Sequence, residues 1–177
     1  MSRSTEITIR EAASKDARAL AALVREEAKL AQQTAAYYEL DPEFDWIKFV
    51  NEKLAHGRRK FFVADNRDEL AGYIEARVVR HPQPEKARHR LIAIRRRRRP
   101  RNDSPLKPIS WGVIEGCFVT QPCRRCGIGR LLADQAMRWF DTQNLVRVEL
   151  AVLAHNDSGR RFWQELGFKP YRLLLAK

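Results

Sequence analysis

Apolar and polar residues alternate along this chain in two rhythms, one of period two and one of helical period, and together they lay out ten elements. Residues 6–10 alternate and predict a short first strand. Ser14-Lys15-Asp16 then supplies helix-start chemistry, after which Ala17, Leu20, Ala21, Val24, Ala28 and Ala31 fall on one helical face. Asp41-Pro42 breaks the polar and aromatic stretch 32–45. Trp46, Phe49, Val50 and Leu54 predict a second helix that stops at His56-Gly57. Segments 60–65 and 70–79 read as two strands joined as a hairpin through Asn66-Arg67-Asp68, which has turn chemistry. Ile109, Trp111, Val113, Cys117 and Val119 recur with period two and predict a fourth strand over 109–120. Leu131, Leu132, Ala136, Trp139 and Phe140 then predict a helix ending near Asn144. A fifth strand over 146–153, a helix over 158–166 and a last strand over 169–175 complete the chain. The order β-α-α-β-β-β-α-β-α-β predicts an α/β domain with a mixed, mostly antiparallel sheet flanked by helices.

With 177 residues, 44% of them hydrophobic, the chain is expected to form a single domain over 1–177 with a proper core. The first ten residues hold no apolar run of signal-peptide length, and nowhere do roughly 18 apolar residues run together, so a cytoplasmic protein with no membrane span is expected. Three cysteines, clustered at Cys117, Cys123 and Cys126, do not make a secreted disulfide framework. The formal charge of +12 is concentrated. Segment 81–108 holds ten Lys or Arg, five of them the run Arg95 to Arg99, against only Glu85 and Asp103. It also holds Pro82, Pro84, Pro100, Pro105 and Pro108 and has no sustained periodicity. This reads as a basic, flexible arm inserted between the third and fourth strands.

Chemistry enters at the junction after the fourth strand. Gly127 and Gly129 open the following helix, where a chain without Cβ atoms turns sharply and exposes the free N–H groups of the first helical turn to an anion. Arg124-Arg125-Cys126-Gly127-Ile128-Gly129 matches the pattern Arg/Gln-x-x-Gly-x-Gly/Ala. A second block, from Asn156 through Phe162-Trp163 to Gly167-Phe168, matches Asn-x-x-(Ala/Gly)-x-x-Phe-Tyr-x-x-x-Gly-Phe. On these two blocks, in this order and spacing, the chain resembles the GNAT superfamily, the Gcn5-related N-acetyltransferases, over nearly its whole length. The resemblance implies a single-domain GNAT-like fold and direct transfer of the acetyl group of acetyl-CoA to an amine acceptor.

Each site residue then has an expected role. An alkylammonium with a pKa around 10.4 must lose a proton before it can attack a thioester. Glu115 is the expected general base, because alternation puts it on the face of Val113 and Cys117, where desolvation would raise its pKa; the resemblance points to the same strand. The alternative is that Glu115 pairs with an arginine of a neighbouring element. By resemblance, main-chain groups of Phe118 and Val119 hold the pantetheine arm. Arg124, Arg125, Cys126, Gly127, Ile128, Gly129 and Arg130 hold the pyrophosphate, and Asn156 bridges to the pantetheine or caps the helix after it. Trp163 stands where the family commonly has a tyrosine that protonates the departing thiolate; Tyr171, Tyr37 and Tyr38 are the substitutes in view. Cys123-x-x-Cys126 lacks the further ligands a structural zinc needs, so no metal is expected.

The acceptor is expected to be a small-molecule amine or a protein amine. Glu26, Glu27, Glu39, Asp41, Glu43 and Asp45 form an acidic neighbourhood suited to a cation, and Tyr37, Tyr38, Phe44 and Trp46 are available to line a pocket. A rival reading makes the domain a scaffold for nucleic-acid or ribosome binding, with 86–101 contacting RNA through phosphate neutralisation. Members of the family are often dimers, which leaves a homodimer open.

Overall fold

The structure, a computed structural model, describes residues 7–34, 39–67, 69–81 and 109–173. Strand β1 (Thr8–Glu11) pairs antiparallel with β2 (Arg59–Asp65), β2 with β3 (Leu70–His81), and β3 with β4 (Ile109–Val119). Strand β5 (Val148–Leu150) joins the far edge parallel to β4, giving the order β1-β2-β3-β4-β5 among the described residues. A parallel neighbour demands a crossover, which helix α3 (Ile128–Asp141) supplies. Helices α1 (Ala17–Thr34) and α2 (Trp46–Leu54) cover one face of the sheet; α3 and α4 (Asp157–Glu165) cover the other.

Because both faces are covered, β2 shows an unbroken apolar run, Phe61-Phe62-Val63-Ala64, with every residue buried. Phe61, Val63 and Tyr73 pack with Leu20, Leu23, Val50 and Phe118 under α1 and α2. Phe62, Ile74, Ala76 and Ile114 pack with Leu132, Ala136, Phe140 and Trp163 under α3 and α4. Helix ends follow local chemistry: Asp45 accepts from Lys48 N–H at 2.9 Å to start α2, and Asn156 accepts from Gly159 N–H at 2.9 Å to start α4. Asp16, 7% exposed, accepts from Arg10 at 2.7 and 2.9 Å and from Ala13 N–H at 2.7 Å, which ties β1 to the entry of α1.

Two expectations are corrected. The fifth strand keeps only Val148–Leu150 of 146–153, because its ladder with β4 stops at Ile114↔Leu150 and, among the described residues, nothing pairs with it beyond. Residues 169–173 form no strand: Pro170 removes a ladder donor, and Tyr171 lies against the Arg147 guanidinium, 5.3 Å from its ring centre. The basic arm, 82–108, lies outside the described residues. Its two anchors, His81 and Ile109, are partners in the β3–β4 ladder.

Candidate active site

Beyond Ile114 the fourth strand continues to Val119 without β5 paired beside it, so five residues of β4 border a gap between the two strands among the described residues. Which groups face that gap follows from the ladder. Thr120 N–H donates to Ala71 O at 2.9 Å, and in an antiparallel pair the bonded positions alternate. Phe118 and Gly116 therefore direct their main-chain groups to β3, while Cys117 and Val119 direct theirs into the gap. Val119 O accepts from Arg124 Nε at 2.9 Å, and the Arg124 guanidinium sits 5.5 Å from the Phe118 ring centre.

At the top of the gap the chain turns through Arg125, with φ 64°, and Gly127, with φ 80°, before α3 begins at Ile128. Gly127 is the N-cap residue and offers no side-chain cap; among the described residues no side chain is seen bonding to the amides of the first turn, which holds no acidic residue. Helix geometry leaves those first N–H groups without intrahelical partners. The opening of α3 is thus a cluster of free donors at the positive end of a helix dipole, flanked by Arg124, Arg125 and Arg130. Gly129 lies inside the first turn, where a Cβ would come within 3.2 Å of the Phe162 ring.

On the α1–α2 side the strand carries a β-bulge. Glu75 pairs with Gly116 and Ala76 with Ile114, so Glu115 is the extra residue. Above the bulge stands Glu27 of α1. Its carboxylate accepts from the Tyr73 hydroxyl and from the Cys117 N–H, and a Cβ at position 116 would lie 3.0 Å from Glu27 Oε2 and 3.1 Å from Tyr73 Oη. Burial pushes the Glu27 carboxyl above the ordinary carboxylate range, opposed by those two hydrogen bonds and by Lys53. Tyr73, 1% exposed, is held well above the usual phenol range by burial and by Glu27. Burial also pushes the Cys117 thiol up to about 12.

Beside this group a buried carboxylate, Glu75, is held by two cations. Lys53 Nζ reaches its oxygens at 2.8 and 3.0 Å, and Arg59 pairs with it from β2. Burial, helped by the neighbouring Arg59, brings the Lys53 ammonium down to about 8. Further out, Arg77 Nε donates to Glu115 Oε1 at 2.6 Å. Phe44, Trp46 and Phe49 form an edge-to-face cluster, with the Lys53 ammonium 4.5 Å from the Phe49 ring centre.

The family model described as acetyltransferase (GNAT) family matches residues 18–168, most of the chain and all of the site. The chain belongs to that family. Solved structures agree in fold: a variant of the BH1408 protein from Bacillus halodurans superposes with a TM-score of 0.76 at 18% identity, covering 96% of this chain and 98% of that one. Aminoglycoside N-acetyltransferase AAC(6')-Iy, in complex with CoA, gives 0.62 at 16% identity, with 96% and 98% covered. An aminoglycoside acetyltransferase from an uncultured soil metagenomic sample, in complex with sisomicin, gives 0.63 at 15% identity, with 97% and 93% covered. At these identities the likeness establishes the GNAT fold alone. No curated protein matches the chain.

Within this GNAT fold the expected site residues take different places. Val119 and Arg124 to Arg130 come together at the gap and the helix opening. Phe118 has its side chain buried under α1 and α2 and its main-chain groups directed to β3, while Cys117 directs its own into the gap. Asn156 is engaged as a cap, its Oδ1 accepting from Gly159 N–H and from the Ser158 hydroxyl.

Glu115 does not sit in a desolvated position. The bulge breaks the alternation, so Cys117 packs on the α3 side while Glu115 lies on the other face, paired with Arg77 as the alternative reading had it. Trp163 is a core residue, edge-to-face with Phe162 and Phe168. Tyr171 lies by Arg147, at the β5 end where Trp111 also packs, roughly 20 Å along β4 from Cys117 at about 3.3 Å per residue. Tyr37 and Tyr38 lie outside the described residues. Of the acidic neighbourhood, Glu27 turns inward and Asp45 caps α2.

What sequence reasoning missed is Glu27 as an interior group, with Tyr73, Lys53 and Glu75. The signal was present. Glu27 follows Leu20 by seven residues, on the same stripe as the buried Leu20 and Leu23. Among the described residues no group of His, Cys, Asp and Glu is placed to hold a metal ion, and no helix is long and apolar enough to cross a membrane.

Proposed function

We propose that the chain is an acetyl-CoA-dependent N-acetyltransferase acting on a small-molecule or protein amine. One observation carries the reading: the uncapped opening of α3 abuts a gap into which Cys117 and Val119 direct main-chain groups. A long ligand with a diphosphate at one end and an amide-bearing arm at the other fits both features at once. The amides of Ile128, Gly129 and Arg130 would receive the diphosphate, with Arg124, Arg125 and Arg130 adding charge and Gly127 and Cys126 leaving the approach clear. Val119 and Cys117 would bond the pantetheine, with Asn156 across the gap. The cosubstrate supplies an activated acetyl thioester.

The chain's own task is to place an amine at the bulge and remove a proton from it. Glu115, the base to which the sequence points, has its carboxylate tied to the Arg77 guanidinium. The aminoglycoside acetyltransferases among the structural relatives make aminoglycosides the first acceptors to try, followed by polyamines, amino acids and peptides. Calorimetry should give a heat of binding for CoA and acetyl-CoA, and a thiol-release assay should show stimulation by at least one panel amine. Absence of any CoA binding sinks the reading.

A further inference from the structure

The group best placed to receive the amine's proton is one that the family's sequence motifs do not contain. We infer that Glu27 of α1, oriented by Tyr73, is the general base of this site. The inference rests on the acetyltransferase reading above and names the residue that would touch the reacting amine.

Three observations carry it. Glu27 reaches over the one residue of the bulge that has no side chain, since a Cβ at Gly116 would stand 3.0 Å from its Oε2. Its carboxylate accepts from the Cys117 N–H, a donor that ladder alternation aims into the gap between β4 and β5. It is therefore at the edge of the open cleft, whereas Glu115 is tied to Arg77 on the sheet surface. Tyr73, buried at 1% exposure, donates its hydroxyl to Glu27 and fixes the carboxylate's direction. Glu75, the buried glutamate nearby, has both Lys53 and Arg59; half-buried Glu27 has, among the described residues, only the neutral Tyr73 hydroxyl and Cys117 N–H in contact.

The proton balance is complete. An alkylammonium gives one proton to the Glu27 carboxylate and becomes a free amine. Its nitrogen forms the C–N bond to the acetyl carbon as the C–S bond breaks; the sulfur leaves with the bonding pair and takes the second amine proton, giving an amide and a thiol. Glu27 returns its proton to water. Groups facing Glu27 are Tyr73 from β3, Cys117 from β4 and Lys53 from α2. Tyr73 and Cys117 stay neutral throughout the working range, and Lys53 changes charge only near 8. Below that pH, Glu27 is the group of this cluster that titrates.

The test compares wild type, Glu27→Gln, Glu115→Gln and Tyr73→Phe in acetyl-CoA thiol release with the best panel amine. CoA affinity is measured alongside by calorimetry. Glu27→Gln should lower turnover by ~100-fold or more with CoA affinity unchanged, and its kcat/KM profile should lose the acid limb. Glu115→Gln should stay within about threefold, because its carboxylate is paired with Arg77 on the sheet surface. Tyr73→Phe should move the acid limb to higher pH, since the hydroxyl favours the ionised carboxylate.

A second readout needs no acceptor. Glu27→Gln should melt at a higher temperature than wild type at pH 8, with the difference closing as pH falls toward 4, because the wild-type carboxyl must ionise in a desolvated place. A variant that melts lower at every pH marks a structural carboxylate and overturns the inference, as does full turnover in Glu27→Gln. Failure of wild type to bind CoA would overturn the acetyltransferase reading instead, and the two results are separately visible.

Discussion

A methyl group at position 116 would stand 3.0 Å from Glu27 Oε2 and 3.1 Å from Tyr73 Oη, closer than side chains normally pack. Gly116→Ala is therefore expected to push Glu27 off the Cys117 N–H. Turnover should fall at least tenfold while the calorimetric affinity for CoA, whose diphosphate the proposal seats at the opening of α3, stays within about twofold. Glu75 has a different job. Its carboxylate, 3% exposed, is the anion between Lys53 and Arg59, so Glu75→Gln leaves two cations facing each other under α2. Losing one partner of a buried pair costs about 3–5 kcal/mol, and urea unfolding at pH 7 should show a loss of that order. Arg77 and Glu115 form a more exposed pair, so the same assay on Glu115→Gln should register less than about 1 kcal/mol.

Among the elements, α3 depends most on one residue's backbone. Gly127 at φ 80° reverses the chain so that the first turn presents bare amides to the gap. An L-residue in the left-handed region costs roughly 1–2 kcal/mol. Gly127→Ala is expected either to destabilise the fold by that amount or to relax the turn; in both cases CoA affinity drops several-fold, by calorimetry. This part of the site was legible because glycine and capping chemistry are local: the turn before Ile128 and the Asn156 cap are written in single residues. The helices and the β2–β3 hairpin were legible for the same reason, as both rest on periodicity within one segment.

The bulge was not legible. Inserting one residue leaves the apolar alternation of β4 looking intact while moving Glu115 and Cys117 to opposite faces, and only the partner strand reveals it. The isolated Gly116 was the available hint. Glu27 was hidden because a helix face is assigned by its apolar residues, so a carboxylate on the buried stripe reads as the edge of the solvent face. A last strand was expected because apolar residues after Tyr171 mimic a ladder that Pro170 cannot support.

For the molecule as a whole, β4 acts as a ruler. It starts at Ile109, where the basic arm rejoins the sheet, and ends at Val119, where the glycine turn begins, about 33 Å away at roughly 3.3 Å per residue. The arm's anchors and the opening of α3 thus sit at opposite ends of the sheet. Most of the +12 charge belongs to the arm, yet the arginines bordering the helix opening come from the loop itself. At physiological ionic strength the Debye length is about 8 Å, so exposed charges held near those anchors would be screened from the helix opening.

Separability follows. Replacing Arg95 to Arg99 with serine should leave CoA affinity and acetyl-CoA thiol release within about twofold of wild type at 0.15 M salt. Binding to a single-stranded RNA probe, as the rival docking reading requires, should weaken with salt in wild type. In the variant the slope of log K against log salt should be shallower by up to about 3.5, at roughly 0.7 per neutralised phosphate. A variant that instead loses CoA binding would show that the arm folds back across the sheet to complete the cosubstrate site, and the two ends of β4 would no longer be independent.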